Sequence, residues 1–425
     1  MIKQNYYRKT HRFIRASVIY AGGGVVEKLT LMLVGSYLAR NLTVEKFSEL
    51  ATLIAVITIL STFVEMGQGT WLRHVYLKDK HQMAKSVILV FKNFICAYLL
   101  VITVIFYLSF FYFDNGLIIF LIVSISVFFI PIYSNISRYF IYAEKPISYF
   151  VYIASCFGVM SVFFYGSLIL GYEGLIKIRL VSFLIGIIFV VLISLYLLRG
   201  IALLNKDVTF KEHNDLKNSQ TSLLRYGFPV MITGLSVGGL LSIERVLLSI
   251  AGKELLLAAT IVVFHVVVPL LFFAQLIGQQ ITPLLYRLEN NKNYNKGRLI
   301  ELIFILTVFL LCFTYSFFIE YLVYLYGGEK YMRSDILFLA RMLSFYPVMK
   351  AVYQIYGRKY QYYESTGYLM KIVLIFSSIH LVLFISTLKY FDFLYYGIFQ
   401  LLSSGIMALS VAYMIRFVTA SGRLR

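Results

Sequence analysis

Residues 299–326 read LIELIFILTVFLLCFTYSFFIEYLVYLY, one of several long apolar stretches in this chain of 425 residues. The core of a bilayer offers no water, so such a stretch satisfies its backbone hydrogen bonds there only as a helix. About 20 residues at a rise of about 1.5 Å each cross a hydrocarbon core of about 30 Å. The stretch therefore predicts a membrane-spanning helix.

The composition of the whole chain agrees with this. Of its residues 60% are hydrophobic and 14% are charged, whereas soluble domains average about 25% charged residues. Long apolar runs also argue against a transmembrane β-barrel, whose strands alternate polar and apolar residues. The cysteines, Cys96, Cys156 and Cys312, fall inside apolar stretches and predict small core residues. We expect an all-α, polytopic membrane protein.

Twelve apolar stretches predict about twelve transmembrane helices. They lie at 14–38, 47–69, 87–111, 117–138, 149–170, 174–198, 225–250, 255–283, 299–325, 336–357, 368–388 and 393–417. The first is interpreted as a retained span because its apolar run is too long for the core of a signal peptide. A polar linker at 199–224 separates an N-terminal lobe, 1–198, from a C-terminal lobe, 225–425.

The distribution of lysine and arginine predicts the orientation. Segments containing both termini and every second loop carry 25 of these residues, and the alternate loops carry six. Cytoplasmic loops are enriched in lysine and arginine. The bias predicts a multi-pass protein of a bacterial cytoplasmic (inner) membrane with both termini in the cytoplasm. The net charge of +19 is mostly this topogenic charge, so we expect no nucleic-acid partner.

The two halves share matching signatures. Residues 22–35 read GGGVVEKLTLMLVG, and residues 239–252 read GLLSIERVLLSIAG. The first glycine, the acid–base pair and the last glycine of the two stretches match at an offset of 217. Pro131 and Pro347 match at an offset of 216. Because six spans are an even number, such a duplication has the same orientation in both halves. The signatures predict two parallel-repeat six-helix lobes around a central cavity.

Charged residues inside the predicted spans are the candidates for a binding site, since charge at the bilayer centre is costly and usually faces a cavity or a partner. The basic candidates for a cationic cavity are Lys28, Lys177, Arg179, Arg245, Arg341 and Lys350. Glu27, Glu65 and Glu244 are the candidate charge partners or ion sites. Neighbouring helix residues point about 100° apart, so neither the pair at 27–28 nor the pair at 244–245 is expected to close a local salt bridge. Pro347 predicts a bend in the span at 336–357. A gating helix is one interpretation of that bend.

Several short motifs resemble those of a known family. Residues 38–47, LARNLTVEKF, resemble the LAR-x-L-x-x-E-x-F-G stretch of polysaccharide flippases, with Ser48 where that family usually has glycine. Residues 65–73, EMGQGTWLR, are similar to its glycine-rich turn leading to an arginine. RYGFP at 225–229 and SIER at 242–245 resemble its seventh helix, with Glu244 where aspartate is more frequent. The chain thus resembles the Wzx-type O-antigen and polysaccharide-repeat flippases, whose superfamily includes multidrug exporters and the lipid II flippase.

The resemblance implies a cationic central cavity and, as substrate, an undecaprenyl-diphosphate-linked oligosaccharide that alternating access flips from the cytoplasmic to the outer leaflet. It also implies membrane lipid, a polysaccharide polymerase and a chain-length regulator as partners. Arginine and lysine form strong charge-assisted hydrogen bonds with phosphate, which suits the basic candidates above.

Two other classes of function stay open. One is a multidrug-type cation antiporter, in which Glu27, Glu65 or Glu244 is the ion site. The other is a membrane polysaccharide polymerase or ligase, although the loops predicted to be external are short. The excess of basic over acidic residues in the spans favours an anionic cargo. The sequence has no H-E-x-x-H, Walker A or G-x-S-x-G motif, so we expect neither an enzyme nor a cofactor or metal.

Overall fold

The computed structural model describes residues 2–68, 98–99, 101–103, 105–106, 116–142, 145–172, 174–204, 227–363 and 365–420. All regular structure in these residues is helical, and they contain 11 helices long and apolar enough to cross a membrane. The predicted fold class, an all-α polytopic membrane protein, is confirmed. The predicted span at 87–111 lies mostly outside the described residues, as does the linker from residue 205 onward.

The helices follow the predicted spans closely. Those of the first half are α1 (Ile2–Asn41), α2 (Val44–Glu65), α3 (Gly116–Tyr142), α4 (Pro146–Ile169) and α5 (Leu175–Leu204). Those of the second half are α6 (Gly227–Ile250), α7 (Glu254–Asn290), α8 (Tyr294–Ser316), α9 (Ile319–Gly327), α10 (Ser334–Leu343), α11 (Tyr346–Tyr362), α12 (Thr366–Thr387) and α13 (Phe393–Ala420).

Two predicted spans are interrupted. The apolar run at 299–325 is divided between α8 and α9, because the amides of Phe317 and Phe318 bond to carbonyls three residues back and so tighten and end the helix. The span at 336–357 is broken at Ser344 and Phe345, between α10 and α11. Pro347 is the second residue of α11, in the first turn, where a missing amide proton costs no helical hydrogen bond.

Three hairpin turns end their first helix in the same way. At Gly171, Gly252 and Lys292 the chain adopts a positive φ of 73°, 67° and 57°. The next amide then bonds five residues back, as from Lys253 N to Leu248 O at 2.9 Å. This is the Schellman motif, which satisfies carbonyls at the helix end. Short turns of this kind keep the ends of consecutive helices close together in space.

The described helices divide into two compact units. The first comprises Met1–Val34 and Leu53–Leu235, and the second comprises Gly35–Thr52 and Ser236–Arg425. The chain therefore changes unit inside three helices, α1, α2 and α6.

Apolar side chains cover both the packed and the exposed faces of a helix such as α8. On its packed face Phe304, Val308 and Cys312 are buried in a cluster with residues of α7 and α11. On its other face Leu302 and Leu310 are 54% and 60% exposed. A helix that is apolar all round suits a lipid environment. Cys156 and Cys312 are buried, as predicted, and Cys96 lies outside the described residues.

Candidate functional site

A π-helical turn interrupts α6 at Leu235–Gly239. Such a turn disturbs the regular ladder of backbone hydrogen bonds, and single π-turns inside helices are frequent at functional sites. Two carbonyls of this turn accept side-chain donors instead. The Ser377 hydroxyl of α12 donates to Ser236 O at 2.8 Å, and Lys350 Nζ of α11 donates to Val237 O at 3.1 Å. The turn thus connects α6 to two neighbouring helices.

Glu244 lies just after this turn and is fully buried. Its Oε1 is 2.5 Å from His380 Nε2 of α12. Its Oε2 accepts hydrogen bonds from the Tyr396 hydroxyl at 3.0 Å and from Gln400 Nε2, both on α13. A buried carboxylate is stable only when hydrogen-bonded or paired. Three donors from two helices provide that stabilisation here.

Two cations flank this carboxylate. Lys350 lies 5.4 Å from the centre of the Tyr346 ring, and Arg245 lies 5.9 Å from the centre of the Phe264 ring. Glu244 acts electrostatically on both cations. In the described part of the chain, however, the guanidinium of Arg245 makes no hydrogen bond and no ion pair. One carboxylate between two cations leaves the cluster with one positive formal charge.

A small pocket adjoins the cluster. Its polar lining comprises Tyr346, Lys350, Ser377, His380, Gln400, Ser403 and Ser404. The α11, α12 and α13 helices contribute these residues, and α6 closes the pocket with Val237, Leu240 and Leu241. Hydroxyl, amide and ammonium groups together can hydrogen-bond an oxygen-rich ligand.

Of the nine sequence candidates, the structure brings together Glu244, Arg245 and Lys350. Arg341, in α10 of the same unit, instead forms an exposed ion pair with Glu320 of α9.

The other candidates lie in the first unit. Lys28 forms an ion pair with Glu27 at 2.6 Å, so the expectation that this pair would not close was wrong. Glu65 of α2 pairs with Arg138 of α3. Lys177 is exposed, whereas Arg179 is half-buried with its guanidinium 5.1 Å from the Phe183 ring centre.

Comparisons with solved structures identify the architecture. The chain aligns with MATE in complex with MaL6 at a TM-score of 0.70 and 14% identity, covering 96% of both chains. The fold is that of the MATE transporters. An outward-facing multidrug resistance MATE transporter of the MOP superfamily matches at a TM-score of 0.64 and 13% identity, over 96% of both chains. A MOP superfamily transporter from Pyrococcus furiosus gives 0.64 and 14%, also over 96% of both chains.

Two of these similar structures are described as transporters. The MATE fold agrees with the two-lobe arrangement expected from the repeat. A scan against protein-family models gives no match, and a search of curated proteins gives none. Within the described residues, no group of three or more His, Cys, Asp or Glu could hold a metal ion.

Sequence reasoning missed three residues of the cluster, His380, Tyr396 and Gln400. They lie 136, 152 and 156 positions from Glu244 along the chain. Two of them left a signal, because a histidine and a glutamine stand inside predicted spans, where polar residues are costly. Tyr396 left none, since tyrosine is common throughout this chain.

Proposed function

We propose that this chain is a membrane transporter that flips an undecaprenyl-diphosphate-linked oligosaccharide repeat unit, for O-antigen or another surface polysaccharide, by alternating access. The observation that carries the proposal is the positive cluster around Glu244. Arg245 and Lys350 face a single carboxylate, and that carboxylate already accepts three other hydrogen bonds. The charge of Glu244 therefore does not neutralise both Arg245 and Lys350.

An anionic ligand would complete this cluster. Arg245 is half-buried; holding a cation partly out of water without a hydrogen-bonded partner costs free energy, and an arriving anion recovers it. Phosphate oxygens suit the five donors of arginine and the ammonium of lysine, through charge-assisted hydrogen bonds. The hydroxyl and amide groups of Ser377, Ser404 and Gln400 line the adjoining pocket, where they can bind further oxygens. A diphosphate beside a sugar combines both kinds of group.

One similar structure supports the use of pocket polarity as an indication of function. The Pyrococcus furiosus transporter is described as having a binding pocket of reversed polarity that suggests a different function. By the same reasoning, a positive cluster in this chain favours an anionic cargo. We further propose an inner-membrane location with both termini cytoplasmic, and a polysaccharide polymerase and chain-length regulator as partners.

The decisive experiment locates the lipid-linked repeat unit in each leaflet. Cells lacking the gene are expected to accumulate it in the cytoplasmic leaflet, and the wild-type gene restores transfer. Arg245→Gln is expected to slow transfer by about tenfold or more, since it removes a charge-assisted contact. Arg333→Gln is the matched control, because Arg333 is exposed and paired with Asp335. It should transfer like wild type at equal abundance in the membrane.

Two results would contradict the proposal. One is normal transfer in cells that lack the gene; normal transfer with lost chain extension would indicate a polymerase. The other is a loss of Arg245→Gln protein from the membrane together with its transfer activity, which would make Arg245 a structural residue.

A second candidate is a multidrug-type cation antiporter, and one observation favours it. Glu244 and His380 form a buried acid–base pair with 0% and 4% side-chain exposure. Ionisable groups inside membrane helices often belong to ion or proton pathways. This candidate predicts that deletion of the gene raises sensitivity to cationic drugs and that Glu244→Gln fails to restore resistance. Unchanged drug sensitivity would exclude it.

A further inference from the structure

The C-terminal ends of α1 and α9 cap each other. Helix ends leave carbonyls without intrahelical partners and carry partial negative charge, so cations stabilise them. Arg40 Nη2 of α1 donates to Tyr324 O at 3.0 Å and to Leu325 O at 2.6 Å, at the end of α9. The Ser36 hydroxyl adds a hydrogen bond to Tyr326 O at 2.9 Å.

The exchange is reciprocal. Lys330, three residues beyond α9, donates from Nζ to Leu42 O at 2.7 Å and to Arg40 O at 3.3 Å. Arg40 lies in the last turn of α1, and Leu42 directly follows the helix. Partial burial removes water from the Lys330 ammonium and lowers its pKa. The two carbonyls replace some of the hydrogen bonds that this water would make. Each helix end thus receives a cation from the other.

Close packing at Gly35 makes this contact achievable. A Cβ atom at Gly35 would overlap the Tyr326 hydroxyl, so only glycine allows α1 to approach α9 so closely. Tyr326 is itself buried, with its ring stacked on His265 of α7 at 5.4 Å between centroids. The surface that receives α1 is therefore held by α7 as well as by α9.

The contacts involve the part of α1 that belongs to the second unit. Gly35–Thr52 falls in that unit, whereas Met1–Val34 and the chain from Leu53 to Leu235 fall in the first. Relative motion of the units would act on α1, α2 and α6, because the chain changes unit inside all three helices. Release of Gly35–Thr52 would absorb that motion in α1 and α2.

The chemistry of the contacts permits release. Both cations bind backbone carbonyls, and no carboxylate takes part. On opening, exposed Arg40 and half-buried Lys330 return to water, and water can hydrogen-bond the carbonyls at the helix ends. No buried ion is left without its counter-ion.

We propose that this exchange of caps is a latch that holds Gly35–Thr52 on the second unit in one conformation and releases it in another. The latch is defined by Ser36, Arg40 and Lys330 with the carbonyls they bind. The role of its opening in the transport cycle rests on the proposed function; its existence does not.

Hydrogen–deuterium exchange of the full chain in lipid nanodiscs tests the latch without any substrate. In the double variant Arg40→Gln, Lys330→Gln, amides of 38–52 should exchange about tenfold faster than in wild type, because charged hydrogen bonds are lost. The control is Lys253→Gln. Lys253 also caps carbonyls of the second unit, those of Lys389 and Phe391, but does not touch α1. It should leave exchange at 38–52 unchanged.

Unchanged exchange in the double variant would overturn the latch, and so would faster exchange spread evenly over the second unit. If the double variant fails to insert, Arg40→Gln alone is measured against the same two outcomes. A transport assay on the same proteins separates the proposals. A wild-type chain that moves no lipid-linked sugar contradicts the proposed function, while the exchange result still decides the latch.

Discussion

At the scale of single residues, Glu244 depends on donors that other helices supply. Gln400 Nε2 and the Tyr396 hydroxyl bind one carboxylate oxygen, and His380 Nε2 binds the other. Glu244 itself is fully buried, so losing a donor leaves its carboxylate with one hydrogen bond fewer. The free energy of folding is therefore sensitive to each of these contacts.

Gln400→Leu is expected to destabilise the protein by about 1–3 kcal/mol, since it removes a hydrogen bond to a charged group. With Cys96 replaced by alanine, a thiol-reactive dye measures the apparent Tm in detergent, because buried Cys156 and Cys312 react only after unfolding. Ser403→Ala is the control: Ser403 lines the same pocket but bonds only to the backbone carbonyl of Gln400, at 3.4 Å. An equal loss of Tm in both variants would contradict the assignment.

The same residues show the limits of the sequence. An acid and a base inside an apolar span are visible in the sequence, so Glu244 and Arg245 could be predicted as candidates. Their partners could not, because which side chains reach Glu244 depends on how α12 and α13 pack. The prediction that Glu27 and Lys28 form no salt bridge was wrong for another reason. The angle between neighbouring Cβ atoms does not fix the end of a long, flexible lysine side chain.

At the scale of elements, hydropathy predicted the helices but not their interruptions. The break between α8 and α9 lies inside an apolar run with no change in composition, and the π-turn of α6 differs from its surroundings only by Ser236 and the glycines Gly238 and Gly239. Pro347 did mark the break before α11, because proline disrupts a continuous helix chemically. Irregularities set by backbone hydrogen bonds alone leave no such mark.

Deleting Gly238 tests the π-turn. A π-turn holds one residue more than an α-turn, so the deletion should restore a regular helix. It would turn Gly227–Gly234 by about 100° relative to Glu244. No side chain is lost, and the surroundings of Gly238 are open. Transport is expected to be lost in the deletion and kept in Gly238→Ala. Wild-type transport by the deletion variant would show that the turn has no role.

At the scale of the whole molecule, the charge bias makes a prediction about sidedness. In a chain whose cysteines are replaced by alanine, Tyr390→Cys should react with an impermeant maleimide on intact cells. Asn291→Cys should react only after permeabilisation. Both positions are exposed in turns between spans, so accessibility alone does not distinguish them. The reverse pattern would contradict cytoplasmic termini.

The fold as a whole was the most predictable level. A membrane-spanning helix must be long and apolar, so its position can be predicted from the sequence. The matching signatures of 22–35 and 239–252 added the two-lobe arrangement. Identity of the cargo is a different matter, because a fold can host several functions and only the site distinguishes them.

The π-turn bears on the ancestry of the two halves. From Gly239 to Gly252 the second half matches the first at a constant offset of 217, and the matching part of α1 is regular α-helix. The extra residue of the turn lies immediately before this matching block. If the halves descend from one duplicated gene, one copy gained or lost a residue at this point after duplication. Alignments of the two halves then need a gap within Leu235–Gly239, and homologues with and without the extra residue would mark separate lineages.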